Sequence, residues 1–477
     1  MSALLAKRLW GAAVIAAYVR GQRRASFLPR AELEALRDRR IRWMVRYAAK
    51  HVPYWREAFA RTGVDPDTIR GAEELDRLPI LDKELVRTKP ELFVADTAAA
   101  RRGLSFLTSG STGTPISIRH DRRSLLANIA FGEREREVVN RACGGSFRPK
   151  ELYVSYQTST FKKVEAFYAE NALLPVQPLR RFVSLLEPVE KVAAIANEER
   201  PDLLVGYGGW LDLFFKTVHA RGLPLHRPKL VMYMGEALAR DGRELIEKTY
   251  GIPVMSRYNA VESFKIGFFC DLRTGFHVHE DLCHVRVVDA EGRTAAPGET
   301  GAVVISNLIN RASVLLNYPI GDVASLSDEP CACGRTFRLL SELEGRLEDT
   351  IRFPNGSFVH PRAIWEVFKR DPEVLQYRLI QRETRRFTVE LATVDEASFS
   401  HALERARPDL ERLLGPGAVL EAIRHEVLHR RQGEKFRAVV SLRPAATGSG
   451  EGSAATTAVA GPAAAGFSGR VRSTSTP

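Results

Sequence analysis

Between residues 31 and 62 apolar positions recur three and four apart, at Leu33, Leu36, Ile41, Met44, Val45 and Ala48. That spacing places them on one face of a helix. LPILDK (78–83) reads as a turn running into a helix start. The period then changes. Leu104 to Leu107 is a short apolar run and Ile116-Ser117-Ile118 alternates, so a strand is expected on each side of the loop in LTSGSTGTP (107–115). From about 123 to 260 helical stretches alternate with the short apolar runs LYVSY (152–156), LLVGY (203–207) and LVMYMG (230–235). Such alternation predicts an α/β fold. From 276 to 320 the runs HVRVVD, GAVVIS and SVLLNY are expected to be strands separated by turns.

EGRLEDTIRFPNG (344–356) reads as a junction to a smaller domain. Beyond it strands such as FTVEL (387–391) mix with helices such as SHALERARPDLERLL (400–414), an α+β pattern. The expected organisation is a large domain over 1–344, a hinge over 345–350 and a small domain over 351–444. Residues 445–477 are small and polar without periodicity, and a disordered tail is expected there.

The N-terminal stretch AKRLWGAAVIAAYVRGQRR flanks an apolar run, Leu9 to Val19, with basic residues. The run is shorter than the roughly 20 residues a bilayer span needs. Arg20, Arg23 and Arg24 follow it where a signal peptide would carry a small-residue cleavage site. A helix packed on the body is expected, with a membrane-surface helix as the alternative. No integral membrane span is expected, and the expected location is cytoplasmic.

The formal charge of +12 over 477 residues fits anionic small ligands. No zinc-finger spacing and no basic-aromatic repeat accompanies it, so no nucleic-acid partner is expected. Five cysteines do not form a disulfide framework. Cys331 and Cys333 make a C-x-C pair, and Cys270 and His277 flank the turn DLRTG. Three thiolates and an imidazole suit a closed, structural tetrahedral Zn²⁺ site. Cys283 or His279 could take the place of His277.

LTSGSTGTP is rich in hydroxyls and glycine but is not a Walker loop. Gly110 and Gly113 are three apart, no lysine follows, and a strand comes next. Its backbone N–H groups could curl into an anion nest, or it could be a plain polar hairpin turn.

Further stretches give the loop a context. LTSGSTGTP resembles the phosphate loop of adenylate-forming enzymes, the acyl-CoA synthetase superfamily. GEAL (235–238) resembles the segment flanking the adenine, YNAVE (258–262) the Tyr-Gly-x-Thr-Glu motif, and YPIGD (318–322) the Tyr-x-x-Gly-Asp motif. GRLED (345–349) resembles the hinge motif and GEKFR (433–437) the C-terminal lysine motif. VPYWREAF (52–59), LPILDKELV (78–86) and C-x-C-G-R (331–335) are similar to signatures of the phenylacetate–CoA ligase and capsule-biosynthesis branch. The resemblance covers about residues 40 to 443, with six motifs in order.

The resemblance implies a large N-terminal domain of mixed sheets flanked by helices, with a small β-barrel-like subdomain. A small mobile α+β domain would follow. It implies ATP-dependent, Mg²⁺-dependent activation of a carboxylic acid, aryl or arylacetic by family default, and transfer to coenzyme A. By the same resemblance Thr108, Ser109, Gly110, Ser111, Thr112 and Gly113 would cradle phosphates. Gly235 and Glu236 would flank the adenine, Tyr258 would stack on it with Asn259 beside, and Glu262 would hold Mg²⁺. Asp322 would accept bonds from the ribose hydroxyls, Arg346 would reach the ribose or a phosphate, and Glu348 would be the hinge. Lys435 would stabilise charge as the acid attacks the α-phosphorus. A zinc site like the Cys270, His277, Cys331 and Cys333 set occurs in some members of the branch.

The sequence departs from the pattern at Thr114 in place of a lysine, Asn259 for Gly, Val261 for Thr and Glu348 for Asp. Two other readings remain open at this stage. The acyl or AMP group could pass to an amine, a hydroxyl or a carrier protein. Alternatively, the chain could be an inactive zinc-stabilised scaffold. Whether it acts as a monomer or a homodimer is not encoded in any motif.

Overall fold

The computed structural model describes residues 3–108, 115–146, 148–156, 159–173, 179–341, 343, 345–346, 350–354, 358–359, 361–368, 371–428 and 436–441. Helices α1 (Ala3–Val19) and α2 (Gln22–Ala25) lead into α3 (Arg30–His51) and α4 (Pro53–Thr62). The single periodic stretch becomes two helices because Pro53 disfavours helical geometry at the residue before it. Val52 is extended (φ −111°, ψ 120°) and Pro53 opens the next helix. Ile41, Met44, Val45, Ala48 and Trp55 are buried, and the Trp55 indole N–H donates to the Val314 carbonyl at 3.1 Å. At LPILDK, Asp82 caps α5 (Lys83–Thr88) by accepting the Glu84 N–H at 2.8 Å. After α6 (Ala98–Arg101), β1 (Leu104–Leu107) and β2 (Ser117–His120) pair antiparallel, one on each side of the hydroxyl-rich loop.

Helices α7 (Arg122–Phe131) and α8 (Glu133–Ala142) precede the parallel part of the main sheet. Its strands are β3 (Lys150–Ser155), β4 (Leu179–Ser184), β5 (Leu203–Tyr207), β6 (Leu230–Met234) and β7 (Val254–Tyr258). They lie in the order β4-β3-β5-β6-β7. Helices α9 (Thr160–Asn171), α10 (Val189–Glu199), α11 (Gly208–Ala220) and α12 (Arg240–Glu244) lie in the connections, as parallel strands require. The unbroken apolar runs LYVSY, LLVGY and LVMYM follow from burial on both sheet faces.

Beyond β7 the sheet turns antiparallel. It continues through β8 (Gly267–Phe269), β9 (Phe276–Val278), β13 (Leu339–Leu340), β12 (Tyr318–Ser327), β11 (Thr300–Asn307) and β10 (Cys283–Val288). Strand β14 (Gly345–Arg346) adds to β12. One expected strand is absent. SVLLNY (313–318) is a buried connection, and β12 begins only at its last residue. Its backbone bonds run to scattered partners: Ser313 N–H to Arg119, Val314 N–H to Phe93, and the Leu315 carbonyl from Asn307 N–H. Asn317 is left-handed (φ 49°), which breaks the extended path. An apolar run of this length signals burial, and burial here is not accompanied by a ladder.

A separate core forms from Ile351, Phe387, Leu410 and Val439. It belongs to β15 (Ile351–Arg352), β16 (Phe358–Val359), α13 (Pro361–Phe368), β17 (Gln376–Glu383), β18 (Arg386–Ala392), α14 (Glu396–Leu414), β19 (Val419–His425) and β20 (Val439–Val440). The small sheet has the order β19-β18-β17-β20. Leu213 of α11 packs with Leu375, Ala392 and Leu428 of this unit. The expected hinge residue Glu348 and the expected tail lie outside the described residues.

Behind the main sheet runs a buried ionic network. Arg134 and Arg40 hold Asp281 at 2.6 and 2.8 Å, and Lys265 holds Glu135 at 2.7 Å. Three histidines are buried around it and behind β2. Burial pushes the imidazoles of His120 and His279 down to about 4, and pushes His284 well below the usual value. These rings are neutral when folded, whereas in the unfolded chain they take up protons near pH 6.5. Stability is therefore complete above that pH and is lost as pH falls from about 6.5 towards 4, by roughly 1.4 kcal/mol per pH unit for each ring. Urea unfolding at pH 7 and pH 5 should show a midpoint that drops steeply. Equal midpoints would refute the burial of these neutral rings.

Candidate active site

Strands β5, β6 and β7 end side by side, with Tyr207 opposite Met234 and Met234 opposite Arg257. Their carboxyl ends therefore deliver Tyr207, Gly235 and Tyr258 to one edge, the usual place for a ligand crevice in an open parallel sheet. Gly235 is left-handed (φ 75°), and a Cβ there would meet the Tyr207 ring at 3.0 Å. At the start of α11, a Cβ on Gly208 would meet the Ala237 carbonyl oxygen at 2.3 Å. Only glycine lets the GEAL segment lie this close to the helix.

Tyr258 is 6% exposed, with its ring 5.6 Å from that of Phe276. Its hydroxyl donates to Asp322 Oδ2 at 2.6 Å. Asp322, itself 5% exposed, stands opposite Arg346 in the β12–β14 register. The two tyrosine and aspartate motifs, 64 residues apart in the chain, are thus one hydrogen-bonded unit, with the backbone of the third motif alongside. The NH₂ of Asn259, turned towards the carbonyl oxygens of Tyr258 and Phe264 (3.0 and 2.7 Å), closes the turn after β7.

The same turn carries Glu262, which is buried at 7% exposure, and its backbone carbonyl accepts from Asn307 Nδ2 at 2.9 Å. The hairpin of the hydroxyl-rich loop grips this turn. His120 Nε2–H donates to the Val261 carbonyl at 2.7 Å, since that oxygen can only accept. Phe264, left-handed at φ 60°, packs against His120 and Phe106 with ring centroids at 4.3 and 5.5 Å. Thr108 clasps the base of the loop. Its N–H donates to the Ile116 carbonyl and its hydroxyl accepts the Ile116 N–H, both at 2.9 Å. Ser109, Gly110, Ser111, Thr112 and Gly113 lie outside the described residues. His120, Phe264 and Asn307 position the site but carried no signal in the sequence, because none of them sits inside a motif.

On the small unit, Lys435 lies outside the described residues, but the next residue does not. The Phe436 backbone N–H donates to Glu236 Oε1 at 2.9 Å. The segment that follows the lysine therefore rests on the GEAL segment, 200 positions away in sequence.

A second cluster lies elsewhere on the main sheet. The ligand atoms of Cys270, His277, Cys331 and Cys333 all lie within 4.8 Å of one another. Strand pairing explains the convergence. Cys270 follows β8, His277 sits in β9, and β13, which follows the C-x-C turn, pairs Leu339 with His277. The Cys270 and Cys331 sulfurs are 3.9 Å apart, and Cys333 Sγ is 3.4 Å from His277 Nε2. A tetrahedral zinc would hold such atoms roughly 3.5–3.8 Å apart, so the donor set fits one. Burial, with Arg335 nearby, lowers the His277 imidazole to about 4, leaving it in the neutral form a metal needs. Neither alternative joins the set. His279 faces Glu135 at 3.4 Å, and Cys283 is packed in the core.

No protein-family model matches the chain. The phenylacetate-coenzyme A ligase of Thermus thermophilus is 26% identical over 381 residues, spanning 78% of this chain and 81% of that protein. The enzyme of the same name from Escherichia coli is 25% identical over 334 residues, spanning 67% and 72%. Among solved structures, 2-hydroxyisobutyryl-CoA ligase in its postadenylation state, in complex with R3-HIB-AMP, matches with a TM-score of 0.67 at 18% identity. That match covers 88% of this chain and 92% of the other. The same ligase with 2-HIB-AMP and CoA, in the thioesterification state, matches with a TM-score of 0.55 at 17% identity, over 88% and 91%. These likenesses show a mixed α/β adenylate-forming fold. That fold, together with distant homology to phenylacetate-coenzyme A ligases along most of the chain, is that of an adenylate-forming, CoA ligase-type enzyme.

Proposed function

We propose that this enzyme uses ATP to activate an aryl or arylacetic acid and passes the acyl group to coenzyme A. The observation that carries the reading is the convergence at one sheet edge. The Tyr258–Asp322 pair, the buried Glu262 turn and the Glu236–Phe436 contact bring four separate motifs to a single place. In the first step a carboxylate oxygen attacks the α-phosphorus of ATP, and pyrophosphate leaves as the acyl-adenylate forms. In the second, the coenzyme A thiol gives up its proton and attacks the acyl carbon, and AMP leaves.

Each residue has a part suited to its chemistry. Asp322 offers a carboxylate to which ribose hydroxyls can donate. Glu262 offers the oxygen ligand that a hard cation prefers, and Mg²⁺ held there would screen phosphate charge. The described base of the hydroxyl-rich loop carries no cation, so positive charge would come from Mg²⁺, from Arg346 and from Lys435. The small domain would swing about Glu348 between the steps, taking Lys435 away and opening a path for the thiol. Zinc held by Cys270, His277, Cys331 and Cys333 would be structural, since four protein ligands leave no open position.

Pyrophosphate exchange against a panel of aryl, arylacetic and aliphatic acids tests the reading. ATP-dependent exchange is expected with an aryl or arylacetic member, and a thioester of matching mass on adding coenzyme A. Silence with every acid would refute adenylation. Exchange without a thioester would move the second step to an amine, hydroxyl or carrier protein.

A further inference from the structure

Helix α1 lies on the body by one face only. Gly11 is buried so tightly that a Cβ would meet the Asn171 carbonyl oxygen at 1.8 Å. Val14 and Ile15 pack against the cluster of Leu125, Leu126 and Phe167, and the Tyr18 ring meets Phe131 edge-on at 5.7 Å. The opposite face is exposed along its whole length: Leu5, Leu9, Trp10, Ala13, Ala16 and Ala17. These recur at three- and four-residue steps, so they form one stripe. Every one is apolar. Leu9 is 44% exposed and Trp10 49%. A helix that is polar on neither side is ordinarily covered on both.

Charge says by what. Residues 1–31 contain Lys7, Arg8, Arg20, Arg23, Arg24 and Arg30 and not one Asp or Glu. Arg20 continues the apolar stripe by one turn, and Arg20 and Arg24 are both exposed. A second copy of this chain laid on the stripe would bring an equally acid-free basic segment against the first. A bilayer with anionic headgroups offers what both features need. It provides an apolar layer for Leu9 and Trp10 and negative charge for the arginines. No described helix is long and apolar enough to cross a membrane, so α1 would lie in the plane of the surface.

We propose that the outer face of α1 is a docking surface for anionic phospholipid bilayers, which holds the enzyme peripherally on the membrane. This does not depend on which acid the enzyme activates.

Co-sedimentation of the full chain with phosphatidylcholine vesicles, with and without phosphatidylglycerol, tests it. Binding is expected on the anionic vesicles, weakening as salt is raised. Leu9→Glu with Trp10→Glu should weaken it by about tenfold or more. Arg20→Gln and Arg24→Gln should each weaken it by about fivefold, with no effect on phosphatidylcholine alone. All four positions are exposed, so thermal melts of the variants should match the parent. No binding of the parent chain to anionic vesicles at low salt would overturn the proposal. Unchanged binding by the Leu9/Trp10 variant would do the same. So would a concentration-dependent dimer that this variant abolishes, which would assign the face to a second copy.

Discussion

Lys435→Ala is expected to lower ATP- and acid-dependent pyrophosphate exchange by at least about a hundredfold, the usual scale for removing a donor aimed at developing charge. Turnover of a synthetic acyl-adenylate with coenzyme A should survive, because the proposed domain swing takes Lys435 away before the thiol attacks. The split between the half-reactions is the informative result. Equal survival of both would remove Lys435 from the mechanism, and equal loss of both would point to a damaged fold. The contact made by the next residue sharpens the expectation. Phe436 N–H is held by Glu236 at 2.9 Å, so the lysine segment is tied to the segment assigned to adenine by one charge-assisted bond. Glu236→Ala should therefore weaken adenylation in the same direction but less, since it loosens the placement of the lysine without deleting it.

Cys331→Ser is expected to take the metal content from about one zinc per chain to near zero, and to lower stability by several kcal/mol. The size of the effect follows from where the ligands sit. They tie β8, β9 and the turn before β13 together in the middle of the antiparallel half, where Cys270 and His277 are fully buried. Without a cation those buried polar atoms lose their common partner. Metal analysis of the purified chain, and thermal unfolding with and without a chelator, would measure both effects. A parent protein without zinc that melts identically with chelator would remove the metal from this cluster. Cys283→Ser should leave zinc content unchanged, because that thiol is packed with the core and outside the set.

Much of this was legible in the sequence by itself. Period-two and period-three-to-four patterns are local, and local sterics and burial enforce them wherever the chain goes. The flanking strands of the hydroxyl-rich loop, the helix start at LPILDK and the β3, β5 and β6 runs alternating with helices could all be read that way. Motif order carried the family, and Gly235 and Tyr258 of two motifs arrive at the carboxyl ends of β6 and β7.

Tertiary structure decided the rest, because the rest concerns which distant atoms meet. SVLLNY is apolar enough for a strand, yet its backbone partners lie on Phe93, Arg119 and Asn307, so no ladder forms. His277 rather than His279 joins the cysteines because residues two apart share a face of a strand only as far as β9 lasts. His279 lies just past its end and turns towards Glu135. The Tyr258–Asp322 bond and the Glu236–Phe436 bond join residues 64 and 200 positions apart. No window of sequence spans such a distance: sheet order brings Tyr258 to Asp322, and packing of the small unit against α11 and its surroundings brings the Phe436 backbone to Glu236. The sequence also marks α1 as apolar, but only the packed structure shows which side of it the body covers and which side it leaves exposed.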